Sequence, residues 1–130
     1  MISDQSPLAF ADPLPNEVDA VVIGGGVIGC STAWFLAQRG LSVALLEKGR
    51  VAGEQSSRNW GWIRQHGRDP AELPIVTESL NHWEAIAAEL DTDIGFRRTG
   101  VLYLANDEPS LARKERWLTT AREHLSLIHI

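Results

Sequence analysis

Cysteine is nearly absent from this 130-residue chain. The single one, Cys30, excludes an internal disulfide framework and a cysteine-rich metal site. So little thiol fits a reducing compartment, and a cytoplasmic location is expected. Positive charge is also scarce: 12 Lys and Arg stand against 17 Asp and Glu, a formal net charge of -5. That balance argues against nucleic acid or an anionic membrane as the main partner. Residues 1–17 hold Asp4, Asp12 and Glu17 but no lysine or arginine, and no apolar run, so the start of a secretory signal is missing. Pro7, Pro13 and Pro15 mark this stretch as a loose leader. No histidine pair has metal-ligand spacing tied to an acid or cysteine, and no metal is expected. Internal repeats and low-complexity segments are lacking as well. The length allows one domain with a core, and is short for an enzyme that also carries a substrate domain.

What is present begins with a charge-free run over residues 20–38. Such a run invites reading as a membrane helix. The glycines at 24, 25, 26 and 29, and the valine and isoleucine run before them, favour a buried parallel strand followed by a turn. Residues 18–23 then form the first strand. A helix starts near Gly26 and stops at Gly40, where positive φ is tolerated, and residues 41–46 form a second strand. This is the size of a βαβ unit.

The turn fits G-x-G-x-x-G through Gly24, Gly26 and Gly29, with Val27 and Ile28 between the last two. Gly24 permits the tight exit from the strand, Gly26 lets a pyrophosphate approach the backbone, and Gly29 lets the helix pack on the strand. The helix N-terminus offers N–H groups and partial positive charge to phosphates. Glu47, at the end of the second strand, suits a ribose hydroxyl and disfavours a 2′-phosphate. A solvated strand-end glutamate is its bland alternative. The stretch as a whole reads as a dinucleotide site.

Residues 48–70 show little periodicity and several glycines, a long loop of the kind that usually has a task. An amphipathic helix over residues 72–90 follows, with Val76, Leu80, Trp83, Ala87 and Leu90 on one face and Pro74 in its first turn. Residues 96–105 read as two short strands around a turn at Thr99-Gly100. A last helix is capped by Asp107, has Pro109 at its start, and carries Leu111, Leu118, Ala121 and Leu125 as a stripe.

The glycine turn, Glu47 and then Gly53-Glu54-Gln55-Ser56-Ser57-Arg58-Asn59-Trp60-Gly61-Trp62-Ile63-Arg64 resemble the start of the D-amino-acid-oxidase-like (DAO) FAD-dependent oxidoreductases. The later Gly95-Phe96-Arg97-Arg98-Thr99-Gly100-Val101-Leu102-Tyr103-Leu104 resembles that family's entry into its substrate-domain sheet. The glycine motif is shared with many FAD and NAD proteins; the loop is the more discriminating part. The resemblance implies an α/β fold: a Rossmann-like FAD-binding βαβ start over residues 18–90, then the incomplete beginning of an α+β substrate domain over 91–124. It implies FAD as cofactor, with Gly24, Gly26, Val27, Ile28, Gly29, Glu47, Lys48, Ser56, Ser57, Arg58, Asn59, Gly61 and Arg64 as cofactor-binding residues.

Chemistry agrees with that assignment. Serine hydroxyls and N–H groups near glycines are good phosphate donors. Arg64 can place a positive charge near the flavin, where it stabilises the anionic reduced ring. Arg58 and Asn59 hold the loop or touch the cofactor, and ordinary surface arginine is the alternative for Arg58 and Arg64. Trp60 and Trp62 wall a flavin pocket or simply pack. His66 invites a covalent-flavin role, although a lone loop histidine is the commoner case, and Cys30 is read as a small packing residue.

Residues 125–130, Leu125-Ser126-Leu127-Ile128-His129-Ile130, resemble the translation of a transposase-based sequencing adapter. A non-native tail is therefore expected there, and with it a fragment cut mid-gene. The expected function is FAD-dependent oxidation of an amine or amino-acid C–N bond, with hydride transfer to flavin N5 and an imine product. The partner is then a small-molecule amine or amino acid. Two alternatives stand beside it: an NAD-dependent Rossmann dehydrogenase, which leaves residues 56–64 without a role, and a catalytically inactive dinucleotide-binding fragment.

Overall fold

The computed structural model describes residue 2 and residues 5–124. Their contacts divide the chain into two compact units, one ending at Gly61 and the other starting at Trp62. In the first, β1 (Ala20–Ile23), α1 (Val27–Gln38) and β2 (Val43–Leu46) follow in order. The strands pair in parallel, with Ala20 opposite Val43 and Ile23 opposite Leu46. This is the expected crossover, and Gly40 follows α1 at φ 82.

Each strand starts two residues later than the apolar run suggests. A clamp just before the ladder explains this. The Asp19 carboxylate accepts from the Ser42 N–H at 2.8 Å and its hydroxyl at 2.6 Å. Asp19 N–H in turn reaches the Ser42 carbonyl at 3.1 Å. The Ser42 hydroxyl, then its N–H, hold the Asp19 carboxyl below the ordinary carboxylate range.

The expectation of strands buried on both faces needs correction. Val22 packs close to Gly29, with Cγ1 3.5 Å from where a Cβ would sit, but Ile23 is 86% exposed. Among the described residues a single helix, α1, packs on this two-stranded sheet. The leader does make contact: Arg50 Nε donates to the Ser6 carbonyl. A cleft of about 830 Å³ runs between the leader and β2, lined in part by Leu8, Phe10, Leu14 and Leu45.

In the second unit a 3-10 turn (Pro70–Glu72) leads into α2 (Leu73–Glu89). The Asp69 side chain accepts from Ala71 N–H and a proline stands in the first turn, which together start the helix. Val76, Leu80, Trp83 and Ala87 are half-buried as their spacing requires, and Leu73 is fully buried. The hairpin expected over residues 96–105 does not form: no strand occurs there. Gly100 takes φ 75, but two short strands without a third or a packed face are marginal. Leu102 is 84% exposed. Side-chain pairs hold the segment instead. Arg97 meets Asp93 at 2.6 Å and Arg98 reaches Glu84 of α2 at 2.8 Å; Arg97 pulls the Asp93 carboxyl down to about 2.

The chain then enters α3 (Glu108–Glu123), where Asp107 Oδ1 accepts from Ser110 N–H at 2.7 Å and Pro109 sits in the first turn. Asp107→Ala should cost about 1 kcal/mol, read as a lower thermal midpoint by circular dichroism. Ala121 of the expected stripe is buried. Leu125 and the rest of the tail over residues 125–130 lie outside the described residues. Among the described residues, no helix is long and apolar enough to cross a membrane.

Candidate functional site

The glycine turn joins β1 to α1 in the first unit. Gly24 takes φ 106 and its N–H donates to the Leu46 carbonyl at 2.7 Å, so the turn is tied to the end of β2. Gly29 lies against that turn. A Cβ there would stand 1.8 Å from the Gly24 carbonyl oxygen, so helix and turn touch only because Gly29 has no side chain. The first turn of α1 contains no acidic residue, so no side chain of the helix itself offsets its positive end.

Glu47 closes the turn from β2. Its Oε2 accepts from Gly25 N–H at 2.8 Å and its Oε1 from Gly49 N–H at 2.8 Å. These two bonds, Gly25 first, hold its carboxyl below the ordinary value, so it is ionised. A carboxylate offers about four acceptor positions, so two backbone bonds leave room for a hydroxyl donor. Gly25, the variable position of the motif, is a site residue that pattern reading misses. A Cβ there would meet Glu47 Cβ at 3.1 Å and Cγ at 3.2 Å. The run of three glycines was the available signal. Ala52 was missed too: its N–H donates to the Gly25 carbonyl at 2.8 Å and its φ is 60.

From the loop after β2, the structure brings Ser56 to the same place. Its Oγ, in a 3-10 turn (Gln55–Ser57), accepts from Val27 N–H at 2.8 Å. It thus satisfies one orphan donor of α1 where Gly26, the N-cap, has no side chain to do so. A Cβ on Gly26 would stand 3.0 Å from this oxygen. Ser56→Ala should lower the thermal stability of the protein by about 1 kcal/mol, with Ser56→Thr restoring most of it.

The other loop residues of the expected set serve the loop itself. Ser57 Oγ donates to the Glu54 carbonyl at 3.4 Å, and Arg58 reaches the Gly53 carbonyl at 3.3 Å. Asn59 bridges the Ser56 carbonyl at 2.7 Å and Gly61 N–H at 2.5 Å. Lys48 pairs with Glu54 at 3.1 Å and is exposed. Ile28 points outward, and the Cys30 thiol donates to the Gly25 carbonyl at 3.5 Å.

In the second unit, Arg64 differs from its neighbours. Arg58, Arg68, Arg97 and Arg98 each face a carboxylate. Arg64 faces none among the described residues; it lies 5.0 Å from the Trp62 ring centroid and donates to the His66 carbonyl. His66 is half-buried. Burial first, then the charges of Lys114 and Arg64, push its pKa below the ordinary 6.5. Trp60 is 90% exposed.

This set of groups suits a pyrophosphate and ribose: a helix N-terminus, a backbone stripped of Cβ atoms, a serine hydroxyl and an ionised glutamate. The class it defines is a dinucleotide-binding protein. The family model of FAD dependent oxidoreductases (DAO) matches residues 19–128. The chain belongs to that family, whose cofactor is FAD. It is 38% identical over 109 residues to the sarcosine oxidase subunit beta of an Arthrobacter species, covering 82% of this chain and 27% of that one. It is 30% identical to the tRNA 5-methylaminomethyl-2-thiouridine biosynthesis bifunctional protein MnmC of Pseudomonas syringae, covering 95% of this chain and 19% of that one. Among solved structures, L-amino acid deaminase from Proteus myxofaciens, in complex with anthranilate, superposes with a TM-score of 0.84 at 36% identity. That match covers 92% of this chain and 27% of the deaminase. The chain thus spans about a quarter or less of these relatives.

Proposed function

We propose that the chain is the cofactor-gripping part of an FAD-dependent enzyme that oxidises the C–N bond of an amine or amino acid. The observation that carries the reading is the meeting of Ser56 with the start of α1, beside the Gly25–Glu47 pair. A Rossmann dehydrogenase motif alone accounts for the glycines and the acid but not for that serine. The substrate class is supported by the relatives, which are named for sarcosine, a methylaminomethyl group and L-amino acids.

In this reading the backbone of residues 24–29 and the Ser56 hydroxyl hold the pyrophosphate, while Glu47 orients the ribose. Arg58, Asn59 and Glu54 keep the loop in shape. Arg64, with no carboxylate partner, is the cation that serves the isoalloxazine. A bound flavin would supply the acceptor for a hydride from the carbon next to nitrogen, with an imine as the oxidised product. The division at residue 90, with a substrate domain beginning over 91–124, belongs to the same proposal. The protein expressed from its complete gene should carry a visible flavin band that bleaches anaerobically on adding an N-methyl amino acid or an L-amino acid. A bound flavin that neither compound bleaches would sink the substrate assignment.

A further inference from the structure

Residues 62–68 contain an arrangement that the pyrophosphate grip does not use. Arg64 is held from two sides. Its guanidinium lies 5.0 Å from the Trp62 ring centroid, within cation–π range. Its Nη1 donates to the His66 carbonyl. Beside it Gly67, at φ 74, leaves a space that a Cβ would take, since that Cβ would stand 2.9 Å from Nη1.

The carbonyl that receives Arg64 is fixed in turn. Tyr103 Oη donates to it at 3.3 Å. The His66 ring lies against Tyr103, with centroids 4.0 Å apart, and against Trp117 of α3, at 4.2 Å. Tyr103 also stacks on Trp62, at 6.2 Å and 17° between planes, which closes the ring of contacts. Neither imidazole nitrogen has a hydrogen-bond partner among the described residues.

We infer that His66 is a positioning residue: clasped by Tyr103 and Trp117, it holds its carbonyl where it aims the Arg64 guanidinium, and imidazole chemistry takes no part. The consequence for the cofactor rests on the reading above, in which Arg64 serves the flavin; the clasp itself does not.

Two measurements on the protein expressed from its complete gene separate these layers. In the flavin-stripped, isotope-labelled protein, the Arg64 side-chain N–H resonance is displaced upfield by the Trp62 ring current. His66→Ala abolishes that displacement and His66→Phe, which keeps a ring against Tyr103 and Trp117, retains it. Should His66→Ala fail to fold, Tyr103→Leu takes its place with the same expectation. In the flavin-loaded protein, His66→Ala moves the flavin midpoint potential negative, as Arg64→Ala does. The double variant moves it no further, because both act through one cation, and His66→Phe stays at the wild-type potential. A displacement that survives His66→Ala, a His66→Phe variant that behaves like His66→Ala, or additive shifts in the double variant would overturn the inference. A protein that binds no flavin overturns the functional reading instead, and the resonance alone then decides the clasp.

Discussion

Gly29→Ala abolishes flavin retention and destabilises the protein by about 3 kcal/mol or more. The added Cβ would stand 1.8 Å from the Gly24 carbonyl oxygen and 3.0 Å from its carbonyl carbon. Both are backbone atoms, so no side-chain rotation relieves the overlap. Relief requires α1 to move away from β1, and three features of the site depend on that approach. The Gly24 N–H bond to Leu46 tethers the turn, Ser56 meets Val27 at the start of α1, and Val22 packs beside Gly29. Gly49→Ala is the control. Its Cβ would meet only Glu47 Oε1, at an ordinary 3.8 Å, and both thermal midpoint and flavin content should stay near wild type. Thermal unfolding and flavin absorbance of the purified variants decide the matter. A Gly29→Ala protein that keeps its flavin would show that helix and turn do not touch as described.

Glu47→Gln weakens FAD binding at least roughly tenfold, because charge-assisted bonds to two backbone donors become one neutral bond and one donor facing a donor. Gly25 N–H and Gly49 N–H both point at this carboxylate from 2.8 Å, and an amide can accept only one of them through its oxygen. The pH dependence has a definite sign. The carboxyl is held below its ordinary 4.5, chiefly by Gly25 N–H. A group whose pKa falls on folding contributes its full stability above the ordinary value and loses it as pH drops through the lowered one. The stability gap between wild type and Glu47→Gln should therefore be constant from neutral pH down to about 4.5 and shrink below it. Urea unfolding across that range measures the gap, and one that widens in acid would contradict the ionised arrangement.

These two residues also show where sequence reading reaches its limit. Gly24, Gly26 and Gly29 were legible because a strand, a glycine turn and a helix are local, and each glycine has a local reason. Asp107 with Pro109 was legible on the same ground. Glu47 was legible as an acid at a strand end, but its two backbone partners were not. Gly25 is 22 residues away, and its motif position is written as free. Ser56 meets Val27 across 29 residues, and Asp19 clamps Ser42 across 23; neither contact leaves a periodic trace. The hairpin over residues 96–105 failed for the opposite reason. Its local pattern favours strands, but strand pairing needs a packed face, and there Arg97 and Arg98 bind Asp93 and Glu84 instead. The clasp on His66 joins loop, extended segment and α3, so a lone loop histidine was all that the local pattern displayed.

The central claim is that residues 24–29, Glu47 and Ser56 form a grip for FAD. Equilibrium titration of the flavin-stripped protein, expressed from its complete gene, with FAD and separately with NAD tests it most directly. FAD should bind and its fluorescence should be quenched, Ser56→Ala should weaken that binding, and NAD should leave the protein's own fluorescence unchanged. Saturable NAD binding without FAD binding, or no binding of either, would contradict it.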